Sequence, residues 1–188
     1  MMLFQGIRNR RRLRQRARML YAEIARAARK PDFFQALGVA DTLDGRFDLI
    51  VLHAHLVLRR LKGAGEQRRV LSQALFDTMF AEMDEALREL GVGDLSVGRK
   101  IREMTDAFYG RALSYEEALQ SHDDDALLKA ALARNVYRGR APSVAALAAL
   151  ANYVRALDQT LSRNTDDAVL AADIAWPAIA PTACVHGA

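Results

Sequence analysis

The chain has 188 residues, of which 51% are hydrophobic and 27% are charged. A chain of this length buries about 70% of its unfolded surface, so it can fold as one domain without metals or disulfides. The single cysteine, Cys184, excludes an internal disulfide and any site built from several cysteines, and it is typical of a reducing compartment.

The net charge of +4 combines two parts of opposite sign. Residues 1–30 contain ten basic residues and one acidic residue, a net charge of +9, whereas the other 158 residues contain 17 basic and 22 acidic residues, a net charge of −5. The sequence therefore predicts an acidic body with a basic N-terminal arm. Most of the positive charge of the arm comes from seven arginines: Arg8, Arg10, Arg11, Arg12, Arg14, Arg16 and Arg18.

The arm divides into two segments. Residues 13–29 place their apolar side chains on about one third of a helical wheel. This pattern predicts an amphipathic helix whose apolar stripe packs on the rest of the protein. Residues 5–12 have no apolar face, so a solvated basic extension is expected there. The extension is either a frayed terminus or a contact for an anionic partner. Charge alone does not distinguish lipid head groups from RNA phosphates as that partner.

No segment of the sequence has the composition of a secretory signal or a membrane span. The basic run leads into a short, polar stretch, and nowhere do roughly 20 apolar residues follow one another. A mitochondrial presequence stays open, because an arginine-rich and acid-poor start is typical of one. We therefore expect a soluble or peripheral protein.

The rest of the chain shows helical periodicity bounded by glycines, prolines and capping residues. No alternating pattern, hairpin turn or βαβ spacing appears, so the predicted fold is all-α, a single-domain bundle of about seven helices. The domain boundaries are expected at 1–30 for the arm, 31–177 for the helical body and 178–188 for a flexible tail. After the arm, the predicted helices span 31–37, 46–62, 66–90, 94–110, a piece from 114, 123–139 and 143–162, with a turn at 166–172.

Three of these predictions rest on particular residues. The segment 46–62 is apolar on nearly all sides, so a central buried helix is predicted, with a buried strand as the competing interpretation. Ser114 has capping-box spacing and is expected to start a new helix after a break at Gly110. Ser143 is expected to cap the helix that follows it.

The sequence contains no recognisable catalytic, metal or cofactor site. Phosphate-binding glycine loops, the His-Glu-x-x-His motif and the nucleophile elbow are all missing. His53 and His55 diverge by about 160–200° on a helix, so they cannot chelate one ion there, and we interpret both as hydrogen-bonded core histidines. The acidic run 123–125 could hold a cation, but it more simply complements a helix N-terminus. We predict a protein that is not an enzyme.

Large, soft side chains are frequent in the body. Methionine and aromatic residues usually form the core, yet they also make adaptable surfaces for apolar peptides. The residues in question are Phe76, Met79, Phe80, Met83, Met104, Phe108, Tyr109, Tyr115, Tyr153 and Trp176.

An ordered set of short motifs resembles the ubiquinol–cytochrome c chaperone family. No single motif is diagnostic, but the set follows the order of the family over residues 33–177. The motifs are Phe47-Asp-Leu-Ile-Val-Leu-His53, Arg59-Arg60-Leu61, Gly91-Val-Gly-Asp94 with Lys100 and Met104, Ala107-Phe108-Tyr109-Gly110-Arg111 with Tyr115, Tyr153-Val154-Arg155, and Ala175-Trp176-Pro177.

The resemblance implies an assembly factor for the cytochrome b–c1 complex, a chaperone without a cofactor. Mitochondrial members of the family bind newly made cytochrome b, act with a small partner protein and associate with the ribosomal exit region. This chain looks like a bacterial relative, expected in the cytoplasm or at the inner face of the cytoplasmic membrane, or in the mitochondrial matrix if it is eukaryotic.

The function predicted from these observations is binding of cytochrome b or a similar membrane-protein client. The expected client contacts are Phe108, Tyr109, Tyr115 and Trp176, and the seven arginines of the arm are expected to meet a membrane surface or a ribosome. The alternative is a nucleic-acid- or ribosome-binding helical module that acts through the arm, and an enzyme with an unrecognised site is a third hypothesis.

Overall fold

The computed structural model describes residues 2–63, 65–121 and 125–179, and within these ranges the side chains from residue 11 onward. The all-α prediction is confirmed, since the described residues form helices joined by turns and contain no strand. In chain order the helices are α1 (Met2–Ala28), α2 (Pro31–Gln35), α3 (Leu43–Leu61), α4 (Glu66–Glu89), α5 (Asp94–Gln120), α6 (Ala126–Asn135), α7 (Val144–Arg163) and α8 (Asp166–Leu170).

Helix α3 is the centre of the bundle. Of its 19 residues, 13 are buried, because α1, α4, α5 and α7 all pack around it. The apolar composition on every side of this segment is thus explained by a helix rather than by a strand. The Thr42 hydroxyl caps its start by accepting a hydrogen bond from the backbone of Gly45 (3.1 Å).

The apolar stripe of α1 docks on this core. Ala17 and Ile24 are fully buried against α3 and α4, and Leu13 is only 5% exposed. The helix begins at Met2, however, and not at Leu13 as predicted. Arginine is a good helix former and its charge can stay in water, so the missing apolar face upstream of Leu13 does not interrupt the backbone hydrogen bonds.

Helix α5 is continuous where the sequence predicted two helices. Gly110 lies inside it, and the Ser114 hydroxyl donates to the Gly110 carbonyl (3.1 Å) instead of capping a new helix. The predicted break is wrong because Phe108, Ala112, Tyr115 and Leu119 continue one buried or partly buried stripe across it, and this packing outweighs the local cost of a glycine.

The starts of the last helices match the predictions in part. The Ser143 hydroxyl accepts a hydrogen bond from the backbone of Ala146 (3.1 Å), which confirms the predicted cap of α7. Helix α6 begins at Ala126, and the Asp125 side chain pairs with Arg155 (2.6 Å) rather than capping that helix. Asp123, Asp124 and the chain from residue 180 onward, which holds Cys184 and most of the predicted tail, lie outside the described residues.

Candidate functional site

A groove of about 630 Å³ opens where the end of α3, the first half of α4 and the middle of α5 meet. We call it the α3–α4–α5 groove. Its three walls come from distant parts of the sequence, so it exists only in the folded bundle. The lining residues are His55, Leu58, Arg59, Leu61, Lys62, Gly63, Arg69, Ser72, Gln73, Phe76, Phe108, Tyr109, Ala112, Leu113 and Glu116.

Aromatic rings form one side of the groove. The Phe76 ring centroid lies 5.4 Å from that of Phe108 and 5.7 Å from that of Tyr109, and Phe80 extends the cluster behind Phe76 at 4.7 Å. Phe108 is buried, whereas Tyr109 is 59% exposed and Leu113, one turn further along α5, is 62% exposed. The groove therefore presents apolar side chains to solvent beside a wall of packed aromatic rings.

His55 lies at the bottom of this groove. Only 3% of the residue is exposed, its ring lies 5.7 Å from that of Tyr115, and its Nε2 atom has no hydrogen-bond partner among the described residues. Burial lowers the pKa of His55 to about 4, although Glu116 opposes the shift. The imidazole is thus neutral near pH 7, and the floor of the groove carries no charge there.

Charged side chains make the rim. Glu116 pairs with Arg59 (3.3 Å) and with Lys62 (3.1 Å), and Arg59 also reaches Asp158 (2.5 Å). Burial opposes the ionisation of Glu116, but Lys62 and Arg59 outweigh it and lower its pKa. Arg69 is exposed and has no ion-pair partner in the described part of the chain, so the rim carries a net positive charge.

The four predicted client contacts are not brought together. Phe108 and Tyr109 both line the α3–α4–α5 groove. Tyr115 is fully buried beneath it, with no exposed surface. Trp176 lies on the other side of α3, where its ring is 5.8 Å from that of His53, and it packs against the core.

The client contacts predicted from the sequence left out several lining residues, above all Leu113, Phe76 and His55, although Phe76 was among the adaptable side chains and His55 was interpreted as a core residue. Leu113 follows Tyr109 by four residues, a spacing that puts both on one helix face, and this was the available signal. Phe76 gave no comparable signal, because only the packing of α4 on α5 decides which of its neighbours it meets.

The arm presents its described arginines to solvent. Arg11, Arg12, Arg14 and Arg18 are exposed and Arg16 is partly exposed, whereas the side chains of Arg8 and Arg10 lie outside the described ones. No acidic partner pairs with any of the five described side chains. Their charge is available to an anionic partner.

Two further findings bear on the class of protein. Within residues 2–63, 65–121 and 125–179, no group of three or more histidine, cysteine or acidic side chains is arranged to hold a metal ion. None of the helices in the same ranges combines the length and hydropathy needed to cross a membrane.

The fold and the groove define the class of protein, an all-α bundle with a surface groove that combines aromatic, aliphatic and charged side chains. Comparison with known families specifies it further. The model of the family described as ubiquinol-cytochrome C chaperone matches residues 35–176, most of the chain. The chain belongs to the ubiquinol–cytochrome c chaperone family.

Similar proteins agree with this assignment. The chain is 27% identical over 146 residues to the ubiquinol-cytochrome-c reductase complex assembly factor 1 of Xenopus laevis, which covers 77% of the chain and 72% of the frog protein. The human protein of that name is 29% identical over the same length, and the chain spans only 48% of it. A crystal structure of the Cbp3 homolog from Brucella abortus superposes with a TM-score of 0.82 at 32% identity, covering 95% of this chain and 98% of the other.

Proposed function

We propose that the chain is an assembly factor of the cytochrome bc1 complex and binds a segment of cytochrome b, or of a similar membrane-protein client, in the α3–α4–α5 groove. The single observation that supports the groove is that Tyr109 and Leu113 are exposed and line it together with the packed Phe76–Phe108 pair. The family and the names of its relatives support the role in assembly.

The chemistry of the groove suits an apolar segment with polar ends. Its aromatic side chains adapt to irregular apolar surfaces, and neutral His55 leaves the floor uncharged. The net positive rim of Arg59, Lys62 and Arg69 favours a segment flanked by acidic side chains. Such a segment would be shielded from aggregation until it enters the complex.

The comparisons favour this role over the nucleic-acid-binding alternative. Phe108 and Tyr109 stay in the proposed contact surface, and Tyr115 supports it from beneath. A small assembly-factor partner remains a prediction drawn from the family, and a peripheral position at the membrane remains a prediction drawn from the basic arm.

Site-specific photo-crosslinking tests the groove directly. A photoreactive amino acid at Leu113 should crosslink to cytochrome b in cells that make the cytochrome bc1 complex. The same amino acid at Val144, which is 87% exposed at the start of α7, is the control and should not. Crosslinks from Val144 but not from Leu113 would place the client on another face and contradict the proposal.

A paired substitution tests the consequence for assembly. Replacing Tyr109 and Leu113 by serine removes exposed apolar surface, so the protein should stay folded and the amount of assembled cytochrome bc1 complex should fall severalfold. Val144→Ser is the matched control. Normal complex levels in the double variant, at equal protein abundance, would refute the groove as the client site.

A further inference from the structure

Two leucines project into solvent at the turn between α4 and α5. Leu95 is 99% exposed and Leu90 is 63% exposed. The turn between them is well defined, because Gly91 takes a left-handed conformation (φ +79°) and the backbone of Val92 donates to the Leu87 carbonyl (3.1 Å). We call residues 90–95 the leucine turn. A single exposed leucine is ordinary, but a fixed turn that presents two is a candidate contact.

Basic side chains follow the leucine turn on α5. Arg99, Lys100 and Arg102 are exposed, and none of them has an acidic partner among the described residues. Residues 84–106 hold four basic and six acidic side chains, a net charge of −2, and Asp84 and Asp94 both pair with Arg88. A net positive charge at this end of the bundle therefore comes from the arginines of the arm.

The arm reaches the same end of the bundle. Tyr21 lies close enough to Glu82 for the carboxylate to raise the pKa of the tyrosine, in addition to the larger effect of burial. Phe33, which lies just after α1, packs on His53 in the middle of α3 (5.4 Å). Because α4 follows α3 after a short turn, the middle of α3 is level with the first half of α4, and so is Phe33. Helix α1 thus runs antiparallel to α4. Counting back at 1.5 Å per residue brings Arg11 and Arg12 level with the leucine turn.

We propose that this end of the bundle docks on an anionic lipid surface, with Leu90 and Leu95 entering the head-group region and the surrounding basic side chains facing lipid phosphates. The two features act together, because apolar burial and charge attraction both contribute to binding at a bilayer interface. The leucines favour lipid over RNA as the anionic partner. An aliphatic side chain gains free energy in an apolar phase, whereas single-stranded RNA is bound by aromatic stacking, and the leucine turn has no aromatic residue.

Docking in this way also orients the α3–α4–α5 groove. Phe76 precedes Leu90 by fourteen residues on α4, so the groove would be held about 20 Å from the lipid-facing end. The lipid contact does not depend on which client the groove binds. Each of the two proposals can therefore fail without the other.

Co-sedimentation with vesicles tests the lipid contact in the full chain. The wild-type protein should bind vesicles of equal parts phosphatidylglycerol and phosphatidylcholine, and bind vesicles of phosphatidylcholine alone far more weakly. Leu95→Ser should weaken the binding to the anionic vesicles about fivefold or more, since it removes the most exposed apolar group. Val144→Ser, also at the start of a helix and 87% exposed, is the control and should bind like the wild type.

A double substitution of basic residues completes the test. The double variant Arg99→Gln with Lys100→Gln should bind the anionic vesicles more weakly, by about fivefold for each charge removed. Added salt should also weaken the binding of the wild-type protein to these vesicles. Arg140→Gln with Arg163→Gln, both exposed and on other loops and helices, should change it little.

Several outcomes would overturn the proposal. These are equal binding of Leu95→Ser and the wild type, equal binding to neutral and anionic vesicles, or no vesicle binding at all. RNA binding that Leu95→Ser leaves unchanged, without vesicle binding, would assign the basic end to nucleic acid. Self-association that Leu95→Ser abolishes, again without vesicle binding, would assign the leucine turn to a second copy of the chain.

Discussion

At the scale of single residues, His53 shows how a polar group is accommodated at the centre of the bundle. Its Nδ1 atom lies 2.7 Å from the Leu49 carbonyl oxygen, which can only accept, so Nδ1 bears the proton. Nε2 then accepts the hydrogen of the Tyr153 hydroxyl (2.8 Å), and Phe33 packs on both rings. Burial lowers the pKa of His53 to about 4, which keeps this arrangement neutral near pH 7.

His53 and His55 thus have different roles although they are two residues apart. His53 faces α7 with both ring nitrogens paired, whereas His55 faces the α3–α4–α5 groove with Nε2 unpaired. The spacing of two residues on a helix predicted that the two rings diverge, and the structure places them on different sides of α3. The sequence could not distinguish a satisfied histidine from an unsatisfied one, because their partners lie on other helices.

Removing the Tyr153 hydroxyl should destabilise the protein. Tyr153→Phe leaves the buried Nε2 of His53 without a hydrogen bond, so the free energy of unfolding should fall by about 1–2 kcal/mol, measured by urea denaturation. Tyr109→Phe is the matched control, because that ring is 59% exposed and water can replace its contacts. Equal stability of Tyr153→Phe and the wild type would contradict the hydrogen-bond assignment.

At the scale of elements, most helices follow from periodicity and caps, but α1 extends beyond its apolar stripe and two glycines differ in a way that the sequence does not reveal. Gly110 lies in the interior of α5, where an added Cβ would meet no atom within 4 Å. Gly45 lies near the start of α3, where an added Cβ would overlap the carbonyl oxygen of Ala40. Gly110 only weakens its helix locally, whereas Gly45 is required by close packing. The sequence does not reveal this difference.

Alanine substitutions should therefore act in opposite directions at these glycines. Gly110→Ala should raise the free energy of unfolding by about 0.5–1 kcal/mol, because the unfolded chain loses freedom and nothing in the helix clashes. Gly45→Ala should lower it by about 1–3 kcal/mol through overpacking. Both values can be measured by thermal and urea unfolding, and a destabilised Gly110→Ala would show that α5 is interrupted there after all.

At the scale of the whole molecule, buried and partly buried side chains form ion pairs between helices that are far apart in sequence. Asp48 on α3 is fully buried, and its carboxylate binds Arg111 of α5 (2.9 Å) and Arg138 from the turn after α6 (2.5 Å). Burial raises the pKa of Asp48, and the two arginines oppose the shift. Arg155 of α7 similarly binds Asp125 and the Leu119 carbonyl at the end of α5 (2.9 Å).

Breaking the first of these contacts should cost more than breaking an exposed one. Arg111→Gln leaves a buried carboxylate with a single cationic partner, so we expect a loss of about 3 kcal/mol in the free energy of unfolding. Arg46→Gln, which removes the exposed pair with Asp41 (2.6 Å), should leave stability nearly unchanged. Comparable losses in the two variants would show that burial does not strengthen the Asp48 pairs.

The sequence by itself determined the all-α class, the capped start of α7, the division into a basic arm and an acidic body, and the family resemblance. These properties depend on local periodicity, local hydrogen bonds and composition, which near neighbours in the chain decide. Only the tertiary structure decided that Tyr109 is exposed and Tyr115 buried on the same helix, and that α3, α4 and α5 enclose a groove. Helical periodicity assigns residues to faces, but which face is covered depends on contacts between residues that are distant along the chain.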